Sequence, residues 1–479
     1  MSRKILMRFA LAVCLGTGVA GVSILSSCKS NSGPTASAPG PQITCADAIN
    51  PPGPNPARVP TIIDSSCTAI PFSPGNNLQV NGQQMADVYG WLSFVALNWP
   101  ANDATCTADP SKSILTDPNH PTWLTYLTDG DVYVPSGAPA PWCGGSGANH
   151  GVKGRLLASE AHYPKAVQKL LADNPDVSLV LSHNSKGGEM ITTLHLLGAS
   201  AKGPLQGILQ ATGQPLVDQN GRFVRYSISM NQAEYDYVAQ NKLYTAAGQK
   251  ATNPINFPMG SSPSAVGAIE IKAAWKVLGP NDDPSRFFTQ KAIVFNNEYG
   301  APSPGPNPVT VGLVGLHIAH KAWKQNTWTW STFEQVDNDT KSFYNPNCKD
   351  CKPNTPTAKA DSNELSPQGK PLNAPVQVVP YMQPTHPDLN ATFQGLLKGT
   401  PWQYYEQIGT QWSNGAIGPA PQQLGNSVQE TFVAYTKDGQ PNPMYSCIVC
   451  HSKATAYPGG QSSDMSFLVT ATWLQAKKK

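Results

Sequence analysis

Near its C-terminus the chain reads Cys447-Ile448-Val449-Cys450-His451. Two thiols separated by two residues, with an imidazole directly after them, suit one kind of chemistry. They can form thioether bonds to the two vinyl groups of a porphyrin, with the histidine on the iron from the same side. A short helical turn brings both sulfurs to one edge and swings His451 beneath the metal. The spacing therefore predicts one covalent haem c, attached through Cys447 and Cys450 and ligated by His451. Cys-x-x-Cys alone also suits half a zinc site or a redox disulfide. A zinc site calls for a second ligand pair at matching spacing, and a thioredoxin-type dithiol for a strand before it and a helix after it. A structural disulfide beside a chance histidine is the remaining alternative.

The second axial ligand decides what such an iron can do. Val311 to Lys321 (VGLVGLHIAHK) puts His317 and His320 beside an apolar, glycine-containing run. Gly312 and Gly315 would let a flat macrocycle approach closely. His317 is favoured because it sits on the apolar run itself, and His320 comes second. Hydrogen-bonded structural histidines are the plain alternative for both. Met444 and Met465 flank the motif as thioether candidates, and His183, His195 and His386 are weaker ones. Only Ser452 to Lys479 follows His451, too little for a self-contained small cytochrome domain. Upstream residues must complete the pocket.

The N-terminus reads as an export signal. Arg3, Lys4 and Arg8 precede an apolar run from Phe9 to Leu25, and Leu25-Ser26-Ser27-Cys28 resembles a bacterial lipobox. Residues 1–27 are then a lipoprotein signal peptide with Cys28 lipidated. A plain secretory signal and an uncleaved anchor are the alternatives, although the run is short for a span. Residues 28–42 read as a flexible tether. The expected location is the periplasmic side of a bacterial membrane, with the outer membrane favoured because Lys29 lacks the aspartate that retains lipoproteins at the inner one.

Charge and cysteine usage agree. Charged residues make up 13% of the 479. Removing the three basic signal residues from 33 leaves 30, equal to the 30 acidic ones. Apart from the tail Lys477-Lys478-Lys479, this balance gives no basic surface for nucleic acid. Of ten cysteines, Cys14 lies in the signal. Six remain after Cys28 and the haem pair: Cys45, Cys67, Cys106, Cys143, Cys348 and Cys351. An even remainder in an oxidising compartment reads as disulfides, which proximity pairs as Cys45–Cys67, Cys106–Cys143 and Cys348–Cys351. Cys348-Lys-Asp-Cys351-Lys352 also has the form of a rare lysine-ligated haem motif; a disulfide clip in a loop explains it more simply.

Periodicity gives an α+β fold, β-rich and loop-rich, with short helices. Residues 43–380 read as a β-rich body, and 381–479 as a helical haem-attachment segment packed on it. Helices are expected over Asp87–Trp99, Ala161–Ala172, Ser229–Gln240, Leu389–Thr410 and Leu424–Tyr435. Strands are expected over Val177–Ser182, Ala268–Val277, Lys291–Phe295, Val309–Ala319 and Thr327–Phe333. Asn220-Gly221 predicts a hairpin turn between Pro215 and Ile228. Asn345 to Val376 reads as a long loop. Trp323, Trp328, Trp330, Trp402 and Trp412 suit core or haem wall better than a sugar-stacking surface.

Five stretches resemble large, largely uncharacterised bacterial mono-haem cytochrome c family proteins: Asp218–Tyr226, Glu270–Trp275, Gly315–Lys321, Trp330–Asn338 and Ser446–His451. The resemblance spans about Val88 to Trp473 and implies an exported mono-haem protein, with no substrate specified. The expected activity is one-electron transfer with a redox partner protein or a small electron donor or acceptor, and membrane contact through the N-terminal lipid. The alternatives are a peroxidase-like oxidoreductase with an open iron site and a binding module with an accessory haem.

Overall fold

A computed structural model of the protein describes residues 42–49, 58–71, 73–74, 78–133, 138–144, 150–159, 163, 165–181, 216, 218, 222, 224–294, 307–325, 327–338, 388–413, 418–430, 445–456 and 460–469. These all fall in one unit, which starts at Gln42. Cys28, Cys348, Cys351, Met444, His183, His195 and His386 lie outside the described residues.

The principal helices are α1 (Cys45–Ile49), α2 (Leu78–Leu97), α3 (Gly151–Ser159), α4 (Lys165–Asp173), α5 (Gln232–Gln240), α6 (Ala246–Ala251), α7 (Leu389–Leu396) and α8 (Cys447–His451). Among the described residues the main sheet has nine strands: β1 (Leu127–Thr128), β2 (Leu179–Leu181), β3 (Arg225–Met230), β4 (Ile269–Val277), β5 (Thr289–Val294), β6 (Val309–His320), β7 (Thr329–Gln335), β8 (Tyr405–Ser413) and β9 (Pro419–Ala420). Their order is β9-β8-β7-β6-β4-β3-β1, and β5 extends the sheet by pairing β6 and β2. All pairs are antiparallel except β2 with β5. The α+β, β-rich class is as expected.

Helix α2 covers one face of this sheet. Val88, Trp91, Leu92 and Val95 recur at helical spacing, and all four are buried. Phe94 stacks on Phe333 of β7 with centroids 4.3 Å apart, and Trp91 stacks on Phe393 of α7 at 4.8 Å. Each such ring stabilises the fold by roughly 2 kcal/mol through burial. Gly90 permits the close approach: a Cβ there would come within 2.0 Å of Gln407 Nε2 and 2.4 Å of Thr410 Oγ1 on β8. Asn98 ends the helix by donating to the Phe94 carbonyl, 2.9 Å away, before Pro100.

The C-terminal region departs from expectation. Of the stretch read as a helix to Thr410, Leu389–Leu396 is α-helical and Pro401–Tyr404 a single 3-10 turn, while Tyr405–Ser413 is a strand paired along β7. Gly399 at φ 90° and Pro401 break the helix. The following Tyr-Glu-Gln-Ile-Gly-Thr-Gln-Trp then pairs into the sheet, where tertiary context overrides helical spacing. Residues 424–430 form irregular and turn structure in place of the expected helix, and 431–435 lie outside the described residues. The expected hairpin is present in its described part, with Val224 N–H donating to Leu216 O and Asp218 N–H to Arg222 O, both at 2.9 Å.

Disulfides join Cys45 to Cys67 and Cys106 to Cys143, the two described pairs that proximity suggested. Among the described residues no helix is long and apolar enough to cross a membrane.

Candidate functional site

The Cys-x-x-Cys-His turn lies on the sheet face opposite α2. Ser446 caps α8, its Oγ accepting from Val449 N–H at 3.3 Å. Gln411, on β8, anchors the turn: its Oε1 accepts from Ile448 N–H at 2.9 Å, and its Nε2 lies 3.1 Å from Ser446 Oγ. Ile448 packs in one apolar cluster with Ala319 of β6, Trp330 of β7, Ala456 and Leu468. Cys447 and Cys450 carry free thiols, each partly buried.

His451 closes the turn with a defined tautomer. Its Nδ1–H donates to the Met465 carbonyl at 2.7 Å, and Nε2 has no hydrogen-bond partner among the described residues. The ring sits between Trp330 and Phe467, with centroids 5.2 and 5.0 Å away. Asp464 (φ 54°) and Met465 (φ 71°) both adopt the left-handed conformation. Side-chain-bearing residues are uncommon there, and such strain gathers at functional positions. The turn they make aims the Met465 carbonyl at His451. Lys321 donates to Asp464, and Asp464 Oδ2 accepts from Phe257 N–H at 2.8 Å.

Strand alternation separates the two candidate distal histidines. His317 lies on the α8 face, in register with Lys272 of β4 and Thr332 of β7. Its Nδ1 is 2.9 Å from Thr332 Oγ1, and its Nε2 is 2.9 Å from each carboxylate oxygen of Glu430. His320 lies on the α2 face, where its ring nitrogens bond Tyr89 Oη and the Val266 carbonyl. The second-ranked candidate is therefore a buried, hydrogen-bonded histidine on the sheet face opposite α8. The two glycines do not clear space for a macrocycle either. A Cβ on Gly315 would meet Val428 at 2.6 Å, and one on Gly312 would meet Leu278 at 2.9 Å.

Lys272, His317, Glu430, Cys447, Cys450 and His451 act on one another electrostatically. Burial raises the Glu430 carboxyl, but the charge and hydrogen bond of His317, with Lys272 and the Asn426 amide, outweigh it and hold Glu430 below the usual carboxylate value. Burial lowers Lys272 against the pull of Glu430 and the two cysteines. Its ammonium sits 5.3 Å from the Tyr226 ring centroid. Burial, reinforced by Glu430, raises Cys447 well above an ordinary thiol and Cys450 to about 11. Reactive dithiols need the opposite shift. Burial likewise holds His451 near 4, so its imidazole is neutral and able to ligate at physiological pH.

Chemically, the arrangement offers two protonated thiols and one imidazole lone pair on a single anchored turn. Sequence reasoning missed Lys272, Glu430, Thr332 and the Met465 carbonyl. Lys272 alternates with the apolar Ile269-Ile271-Ala273 face of β4, a polar pattern that ordinarily marks a solvated face. Here residues 424–430 and α8 cover it. Among the described residues no group of three or more His, Cys, Asp and Glu is arranged to hold a metal ion. Comparison with family models, with curated proteins and with solved structures gives no match.

Proposed function

We propose that the protein is an exported c-type cytochrome that holds one covalent haem and passes single electrons. The observation that carries this reading is the anchored Cys447–His451 turn, in which His451 donates from Nδ1 to Met465 and Nε2 has no hydrogen-bond partner among the described residues. A histidine ligand fixed through its other ring nitrogen is the arrangement that metal sites use. The donor set fits the group: Cys447 and Cys450 would hold it by thioethers and His451 would ligate its iron. Haem, when bound, supplies a one-electron iron couple. The chain's part is to keep the His451 tautomer, to exclude water with Trp330 and Phe467, and to offset charge with Lys272 and Glu430.

His317 remains the distal candidate by position, because it shares the α8 face and interacts electrostatically with His451. Ligation through Nε2 would require its release from Glu430. The proposal extends to residues 1–27 as the export signal, Cys28 as the lipid attachment, and membership of the bacterial mono-haem cytochrome family that the five stretches resemble. The test is spectroscopic. Reversible one-electron reduction, with a ferric low-spin spectrum unchanged by cyanide or azide, supports an electron carrier.

One observation favours a second reading. Thr332 and Glu430 engage both His317 nitrogens, which would leave the iron open on that side and poise a His–Glu pair for acid–base work on a bound oxidant. A high-spin ferric form that binds cyanide and turns over peroxide would select this oxidoreductase.

A further inference from the structure

A buried pair of acids that takes no part in the reading above lies beside the loop that orients His451. Asn231 caps α5, its Oδ1 accepting from Glu234 N–H at 3.1 Å. A glutamate at that position ordinarily reaches back to the cap amide. Here the Asn231 amide donates to Ile269 O instead, and Glu234 turns its carboxyl inward, where it is 0% exposed. Glu270 of β4 meets it on the α8 face and is 9% exposed. Without a proton between them, neither oxygen of Glu234 nor Oε1 of Glu270 has a hydrogen-bond partner from the other among the described residues, and Tyr133 Oη has none there either.

Buried carboxyls are paired, bind metal or stay protonated. Among the described residues two carboxyls adjoin here, with Asp464 near them, and none belongs to a metal-holding group. A proton is the remaining solution. Burial raises both acids, and each feels the other and Asp464. Tyr133, at the end of the short helix Asp129–Val132, feels both acids and Asp129. Lys321 is the nearby cation, already paired with Asp464. Ser466 faces Glu270, and Asp464 and Ser466 bracket Met465, the carbonyl partner of His451. The acid pair and the proposed iron ligand are therefore supported by one three-residue turn.

An electron added on this face places negative charge in a low-dielectric interior, where a nearby proton uptake offsets it strongly. We propose that reduction at the His451 site is coupled to uptake of one proton by the Glu234–Glu270 pair, making the protein a proton-coupled electron carrier. The step balances: the iron gains one electron from a reduced donor, the pair sharing one proton gains a second from solvent, and the buried charge is unchanged. This inference rests on the haem reading.

Potentiometric titration of the haem-loaded chain across pH is the test. For a one-electron, one-proton couple the potential falls by about 59 mV per pH unit. The wild type should approach that slope where the pair titrates, and Glu234→Gln and Glu270→Gln should each flatten it. Haem-free chain carrying Cys447→Ala and Cys450→Ala gives an independent readout, a carboxylic-acid carbonyl band in the infrared at neutral pH that either Gln substitution removes. A slope that persists in both Gln variants overturns the proposal, as does a haem-free chain without the band. A chain that never acquires haem shows no redox wave and overturns this inference together with the reading beneath it.

Discussion

Both carboxylate oxygens of Glu430 lie 2.9 Å from Nε2 of His317. The same carboxylate accepts from Asn426 N–H at 2.9 Å and offsets Lys272. It joins the 424–430 segment to β4 and β6 across a buried sheet face. Removing one partner of such a pair leaves uncompensated charge in the interior, at a cost of about 3–5 kcal/mol. Glu430→Ala should lower unfolding stability by that amount in urea titration, and Glu430→Gln, which keeps an acceptor, by less. Equal stability of Glu430→Ala and wild type would show that the pair does not hold this segment.

His317 and His320 should separate spectroscopically. In haem-loaded protein, His317→Ala should convert a low-spin ferric spectrum to high-spin, because His317 shares the α8 face. His320→Ala should leave the spectrum unchanged, because its ring lies behind the sheet. A low-spin spectrum that survives His317→Ala places the ligand elsewhere.

Buried His320 makes the fold acid-sensitive. Burial takes its pKa from 6.5 to about 4, against the Val266 carbonyl bond. Between those values the unfolded chain binds a proton that the folded chain does not, so stability is full above about pH 6.5 and falls as pH drops toward 4. The loss is on the order of 3 kcal/mol for a shift of this size. Thermal midpoints measured from pH 7 to pH 4 should decline in the wild type and decline less in His320→Gln.

Asp87 acts in the opposite sense. It is buried on α2, with Oδ1 accepting from Gln83 Nε2 at 3.0 Å and from Thr410 N–H at 2.9 Å. Burial raises it from 3.8 to about 8, against both bonds. The folded chain then keeps a proton that the unfolded chain releases, so stability falls as pH rises from about 4 to 8. Asp87→Asn keeps the Oδ1 acceptor and should flatten that fall in denaturation curves. An unchanged profile would mean that Asp87 is ionised in the fold.

What could be read in the chain followed periodicity. The alternation of Ile269, Ile271, Ala273 and Trp275 marked β4, and the apolar run Asp87–Trp99 marked the C-terminal part of α2, which begins at Leu78. The Cys-x-x-Cys-His turn is a local pattern, so its short helical form could be expected from five residues. Long-range cover could not. Glu270 and Lys272 look solvent-facing until residues from 424 onward are laid over them. Tyr405–Ser413 looks helical until β7 offers it a partner. Gly312 and Gly315 suggested room for a macrocycle, but Leu278, Phe287, Val428 and Asn426 fill it. Sequence ranks His317 above His320 by its place on the apolar run, but only strand parity shows that they lie on opposite faces.

Covalent attachment is the claim on which the account stands. The direct measurement is haem content after acid–acetone extraction of protein exported from cells that assemble c-type cytochromes. The wild type should retain one haem per chain on the peptide containing Cys447 and Cys450, and Cys447→Ala/Cys450→Ala should retain none. Wild-type protein stripped of all haem by that extraction would contradict the account.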